Sequence, residues 1–265
     1  MAKNGMLDGH YFEPYAGGAG IALELLFHGH ASHIHINDLD PAVHAFWLAV
    51  TQFPEEFLRL LADTPVTIEQ WFKWRAVLRG EVEESVVRRG FATLFMNRTN
   101  RSGILKGGVI GGMSQAGEYS LNARYKKDVL ATRVANIANN AGKISVYCED
   151  ALHLLKRCQS LLPPKSLIYL DPPYYNKGQG LYRNFYKHED HLAIAKLVQS
   201  ARFPRRWIVS YDDSPEIGKM YATSRSCTYS LNYTAQVKYR GSEIMFFSPK
   251  LQIDESPELT ERLAA

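Results

Sequence analysis

The spacing of apolar and polar residues opens the chain with a short strand and then changes period. His10 to Tyr15 is a run of aromatic and extended-favouring residues, whereas Ile21-Ala22-Leu23-Glu24-Leu25-Leu26-Phe27 carries its apolar positions at helical spacing. Between them lies Ala16-Gly17-Gly18-Ala19-Gly20, so strand, glycine loop and helix follow in order. Ser32 to Ile36 alternates as a second strand and ends in Asn37-Asp38-Leu39-Asp40-Pro41. Apolar residues three and four apart then predict helices over 41–51, 55–62, 67–79 and 83–95, with Trp71 and Trp74 as core residues. Asn97 to Lys127 breaks the period with six glycines. Beyond it the pattern predicts strands over 143–147, 166–170, 206–210, 227–232 and 243–247, and helices over 151–158 and 188–201.

Strands alternating with helices define an α/β chain with a largely parallel sheet. In such a sheet ligands gather at the carboxyl ends of the strands, where this sequence places its glycine loop, Asp38, Asp150 and Asp171. The loop brings backbone N–H groups to a helix N-terminus. Leu23 occupies the third glycine position of a dinucleotide fingerprint, which speaks against a nicotinamide or flavin enzyme. Asp38, about 20 residues after the loop, is positioned to accept from ribose hydroxyls; Asp40 is its rival and reads as a helix N-cap before Pro41.

The stretch with the most chemistry is Tyr169-Leu170-Asp171-Pro172-Pro173-Tyr174-Tyr175. Two prolines cannot continue a central strand, so they freeze the turn beside the Asp171 carboxylate. A carboxylate, fixed carbonyls and the Tyr174 ring suit a flat, amino-bearing heterocycle, because the oxygens accept its N–H groups while the ring stacks on its face. The plainer reading is a strand exit in which Pro172-Pro173 is punctuation.

Composition narrows the setting. With 265 residues, 46% hydrophobic and 22% charged, the chain reads as globular, and its three cysteines lack the spacing of a disulfide framework or a cysteine zinc site. The start lacks the apolar run of a signal peptide and no stretch matches a membrane span, so a cytoplasmic location with no membrane partner is expected. His28, His30, His33 and His35 raise a metal site, but no carboxylate or cysteine completes a set, and surface histidines are expected instead. The net charge of +4 is small, yet 98–133 holds seven bases against two acids. A basic, irregular stretch bearing Asn, Gln and Arg is a candidate DNA reader.

These residues resemble the Dam-like family of DNA adenine-N6 methyltransferases. The resemblance rests on Phe12-Glu13-Pro14-Tyr15-Ala16-Gly17-Gly18-Ala19-Gly20, Asn37-Asp38, Phe95-Met96-Asn97-Arg98-Thr99 with Ser102-Gly103, Glu149-Asp150 and Asp171-Pro172-Pro173-Tyr174, in order over roughly 11–247. It implies a Rossmann-like S-adenosylmethionine-dependent methyltransferase sheet with an inserted helical and irregular DNA-recognition region. The catalytic α/β domain would take 1–52 and 141–250, the target-recognition insert 53–140 and a C-terminal tail 251–265. The implied cofactor is S-adenosylmethionine, held by Glu13, Pro14, Tyr15, Ala16, Gly17, Gly18 and Gly20, with Asp38 on its ribose and Asp150 near its adenine edge. The implied catalytic residues are Asp171, Pro172, Pro173 and Tyr174, around an adenine flipped from double-stranded DNA. DNA contacts would fall to Asn97, Arg98, Arg101, Lys106, Arg124, Lys126 and Lys127, with no metal, and with the oligomeric state open, a monomer included.

Relatives carry a G-G-K-type segment before the first strand that the ten residues ahead of Tyr11 do not contain, and activity is nevertheless expected because the pocket residues are intact. Alternatives are cytosine-N4 methylation, disfavoured by Asp at position 171, and a DNA-binding protein on an inactive methyltransferase scaffold. Tyr182, Phe185 and Tyr186 are expected to close over the base or pack as core aromatics.

Overall fold

The computed structural model describes residues 1–175, 186–233 and 239–253. Tyr182, Phe185 and most of the expected tail lie outside the described residues. The strands are β1 (Gly9–Glu13), β2 (Ala31–Asn37), β3 (Ile144–Tyr147), β4 (Ser166–Leu170), β5 (Arg206–Asp212), β6 (Arg225–Tyr233) and β7 (Tyr239–Phe247). They form one sheet in the order β3-β2-β1-β4-β5-β7-β6. β1 runs parallel to β2 and β4, and β4 to β5, whereas β7 is antiparallel to both β5 and β6. This is a mixed α/β, Rossmann-like architecture. The strand order reverses between β1 and β4, and in open α/β sheets ligands bind at the carboxyl ends of the strands beside such a reversal.

The chain divides into two compact units, one of Met1–Leu39 with the chain from Tyr147 onward, the other Asp40–Val146. In the first, β4 is buried over nearly its whole length because it is central, and Ser166-Leu167-Ile168-Tyr169-Leu170 accordingly reads as a continuous run instead of an alternating one. Its core joins Phe12, Ile168, Leu170, Trp207, Val209 and Tyr221 to Leu154 and Leu155 of α7 (Ala151–Lys156) and Ile194 of α9 (His188–Val198).

Several predicted boundaries move for local reasons. β1 stops at Glu13, one residue before Pro14, which has no N–H for the ladder. The helix predicted over 151–158 breaks at Arg157, after which α8 (Cys158–Leu161) begins. α6 (Lys127–Asn139) and α10 (Pro215–Met220) stand outside the predicted set.

The histidine expectation needs correction. His28 and His30 are exposed, but His35 is 5% exposed and His10 and His33 are half-buried. β1 lies beside β2, so the three imidazoles cluster, His10 stacked on His33 and both tilted against His35, with His10 Nδ1 2.9 Å from His35 Nε2 and His35 Nδ1 3.0 Å from the Tyr147 hydroxyl. Burial, then the neighbouring His33 and His10, push the His35 pKa down to about 3. Among the described residues no group of three or more His, Cys, Asp or Glu side chains suits a metal ion, and no helix is long and apolar enough to cross a membrane.

The second unit is helical up to the start of β3. Asp40 caps α2 (Pro41–Gln52), its Oδ1 accepting from Ala42 N–H at 2.9 Å. α5 (Val86–Thr99) begins after the Ser85 cap, three residues later than predicted, and packs so closely on α2 that a Cβ at Gly90 would lie 2.5 Å from the Ala45 carbonyl oxygen. Trp71 and Trp74 of α4 (Ile68–Arg79) are each 1% exposed, as their spacing predicts. The glycine-rich stretch after α5 is irregular yet internally tied. Asn100 accepts from Trp71 Nε1 at 2.7 Å and donates to the Ile104 and Leu105 carbonyls. Gln115 donates to the Ile110 and Gly112 carbonyls and accepts from Leu121 N–H.

Candidate functional site

β1 delivers the chain into the glycine loop, and three polar side chains fix its course. Asn37, 1% exposed at the end of β2, donates to the Pro14 carbonyl at 2.8 Å and the Glu149 carbonyl at 3.0 Å while accepting from Glu149 N–H at 2.9 Å. It thereby ties the exits of β1, β2 and β3 together. Asp38 Oδ2 accepts from Gly17 N–H at 3.0 Å, which holds the loop against the tip of β2. Glu13 is buried, its Oε1 accepting from Ala22 N–H at 3.0 Å in the first turn of α1 (Gly20–Phe27). Since Ala19 gives that helix no side-chain cap, Glu13 satisfies one of its orphan N–H groups from the strand. Burial raises the Glu13 pKa to about 7; hydrogen bonds from Tyr11 and Ala22 oppose the shift, and the Asp171 charge adds to it.

The loop itself stands open. Gly17 has φ +47°, the left-handed region, and a Cβ built at Gly17, Gly18 or Gly20 would meet nothing within 4 Å. Backbone with free space above it, flanked by Asp38, suits a bound nucleoside. Asp150, half-buried, caps α7 by accepting from His153 N–H at 3.1 Å. Tyr15 meets Tyr186 hydroxyl to hydroxyl at 3.0 Å with their rings edge to face. Burial raises Tyr186 to about 12, and the Asp150 charge contributes to that shift.

At the neighbouring strand end, Asp171 leaves β4. Its residue surface is exposed, yet its carboxyl stands against enough protein that burial lifts its pKa; Ser210 opposes the lift and Glu243 adds to it. Ser210 of β5 donates its hydroxyl to Asp171 Oδ1 at 2.8 Å, so the Tyr169 hydroxyl, 2.9 Å from Ser210 Oγ, is the donor in that second bond. Pro172 is buried and Pro173 half-buried. Tyr174 donates its hydroxyl to Glu243 Oε1 of β7 at 2.9 Å, and Tyr229 of β6 donates to Glu243 Oε2 at 2.6 Å. Tyr175 N–H is held by Asp212 Oδ1 at 2.8 Å. The whole turn is thus bolted to β5 and β7.

In the first unit, then, Glu13 to Gly20, Asp38, Asp150 and Asp171 to Tyr174 all stand at carboxyl ends of sheet strands or in the loops leaving them. In the second, Asn97 donates to the Gly103 carbonyl at 3.0 Å and Arg101 Nε to the Val109 carbonyl at 3.3 Å. Arg98 is half-buried, and its pKa is lowered by burial and then by Arg124 and Arg133, a clustering of like charge that an anion would relieve. Lys106, Arg124 and Lys126 are exposed, whereas Lys127 donates to the Ala62 carbonyl at the end of α3 (Pro54–Asp63). Sequence reasoning missed the roles of Ser210, Asp212, Tyr229 and Glu243. Ser210 carried a faint signal, a small polar residue near the end of an apolar strand; Glu243 carried none, because its partners depend on where β7 inserts.

The family model of D12 class N6 adenine-specific DNA methyltransferases matches residues 2–237. No curated protein matches the chain.

Proposed function

This chain belongs to the D12 class N6 adenine-specific DNA methyltransferase family, enzymes that methylate N6 of adenine in DNA, and from that premise we propose how its own residues divide the work. A methyltransferase needs a methyl donor, and S-adenosylmethionine, when bound, supplies an activated methyl group. Gly17, Gly18 and Gly20 give it close access to backbone, and the half-buried Asp38 and Asp150 offer carboxylates to its ribose and its adenine edge. Glu13 shapes this wall through α1, which its carboxylate caps. The open glycine loop is the feature of this chain that fits the cofactor.

A target adenine flipped from double-stranded DNA meets Asp171, the Pro172 carbonyl and the Tyr174 ring. Ser210 takes up Oδ1 of Asp171, which leaves Oδ2 to accept an N–H from the exocyclic amino group. The Pro172 carbonyl accepts the other N–H, and together they hold the nitrogen lone pair toward the methyl donor. The residues position and desolvate, so the acceleration comes chiefly from orientation. In the second unit, Asn97, Arg98, Arg101, Lys106, Arg124 and Lys126 serve DNA contact, Arg98 and Arg124 with a clustered positive charge suited to phosphate.

The observation that carries this reading is the placement of Asp171 at the strand-order reversal beside β1, with Ser210 bonded to its carboxylate. Purified protein incubated with unmethylated DNA and S-adenosylmethionine, then digested to nucleosides for mass spectrometry, tests it. Methyladenine that vanishes with Asp171→Ala is the expected result. Methylcytosine, or no methylated base from folded protein, would overturn it.

A further inference from the structure

The turn that carries Asp171 ends in a tyrosine whose hydroxyl is held from an unexpected place. Glu243 lies in β7, paired across the sheet with Asp212 of β5 on one side and Tyr229 of β6 on the other. It is 7% exposed, and each of its oxygens accepts a phenol, Tyr174 at 2.9 Å and Tyr229 at 2.6 Å. An ionised carboxylate is an acceptor only, so two hydroxyl donors are the partners it can use, and bonds to a charged acceptor are the stronger kind. Tyr174 is itself half-buried, directly after Pro172 and Pro173.

We propose that Glu243 is a positioning residue for methyl transfer, fixing the Tyr174 ring as a platform for the target base. The inference rests on the reading of Tyr174 as the base-stacking residue given above. A tyrosine hydroxyl lies on the axis about which the ring turns, so anchoring it fixes the direction of the side chain. The phenolic proton prefers the ring plane, so aiming it at Oε1 also biases the plane. A ring ordered before the base arrives does not have to be ordered on binding. Tyr229 holds the far oxygen and keeps the carboxylate from following Tyr174 when it moves.

Glu243 has a second effect, on Asp171. The groups facing that carboxyl are Ser210, which bonds it, and Glu243, whose charge lifts its pKa; Asp171 in turn acts on Glu13 and Tyr11 of β1, Tyr169 of β4 and Tyr229 of β6. Removing the Glu243 charge lets Asp171 ionise at lower pH.

The test measures kcat and KM across pH for wild type, Tyr174→Phe, Glu243→Gln and the double variant. Tyr174→Phe keeps the ring and the charge but loses the anchor, and is expected to lower kcat/KM about two- to tenfold with no movement of the acid limb. Glu243→Gln is expected to lower it similarly and to move the acid limb to lower pH; the double variant should be little worse than the lower single. Wild-type activity in Tyr174→Phe overturns the proposal even if Glu243→Gln does not fold. So does a Glu243→Gln enzyme whose acid limb stays in place, or a double variant whose losses multiply. A wild type that methylates no base overturns the reading of the site itself, which Asp171→Ala on active protein distinguishes from failure of the Glu243 role alone.

Discussion

Replacing Glu13 with Gln should make the protein more stable at neutral and alkaline pH while leaving it nearly unchanged in acid. Glu13 is 5% exposed, and the pKa of its carboxyl is raised in the folded chain to about 7, against an ordinary value of 4.5, chiefly because burial disfavours the charged form. A carboxyl with a raised folded-state pKa holds its proton longer in the folded chain than in the unfolded one. Its stabilising contribution is therefore full below about pH 4.5 and is lost as pH rises through about 7. The span corresponds to about 3 kcal/mol at roughly 1.4 kcal/mol per unit. Glutamine retains an oxygen for the Ala22 N–H, so the cap on α1 survives while the titration disappears. His35 complicates the wild-type curve, because its pKa is lowered to about 3 and its neutral form favours folding above about 6.5, a benefit lost toward acid. Subtracting one protein's curve from the other's removes His35, which both contain. Urea unfolding of wild type and Glu13→Gln from pH 4 to 8.5 should show the variant gaining on wild type by about 3 kcal/mol between pH 4.5 and 7 and holding that gain above. A difference that is flat with pH would refute the assignment of a proton to Glu13.

Ser210→Ala removes the hydrogen bond that favours ionised Asp171, so the acid limb of the methylation rate should move to higher pH and kcat fall by about tenfold, read in a pH series of initial rates. Asn37→Ala strands the Pro14 and Glu149 carbonyls and the Glu149 N–H, and should cost about 3 kcal/mol in urea unfolding. Arg124→Ala should lower the slope of log binding constant against log salt by about 1 if the exposed guanidinium contacts a phosphate, measured by fluorescence anisotropy on duplex DNA.

What could be read in the sequence was whatever the backbone dictates locally. Gly17 and Gly18 announce an open loop and the spacing of Trp71 and Trp74 a buried helix face, and both stand so in the structure, where β4 also ends at Leu170 ahead of Pro172-Pro173. What could not be read were relations set by pairing between distant strands. His33 and His35 looked like surface residues because nothing in the sequence puts His10 beside them; the parallel pairing of β1 with β2 does. Glu243 looked like the polar start of a late strand, and only the insertion of β7 between β5 and β6 turns it into the anchor of Tyr174. Lys127 illustrates the opposite limit: the sequence groups it with bases expected at DNA, and gives no hint that its ammonium donates to the Ala62 carbonyl.

The sheet order also sets a timetable for synthesis. Asp40–Val146 is one continuous run of chain. The other unit starts earlier and closes later, since β1 pairs with β4 across more than 150 intervening positions, and the groups that bolt the Asp171 turn wait for β5 and then for β7, ending at Phe247. When residue 146 has been made, β4, β5 and β7 are still to come, and β1 has only β2 of its two neighbours in the sheet. The turn that carries Asp171 is therefore among the last parts of the described chain to receive its partners, long after the chain of the helical unit has been made.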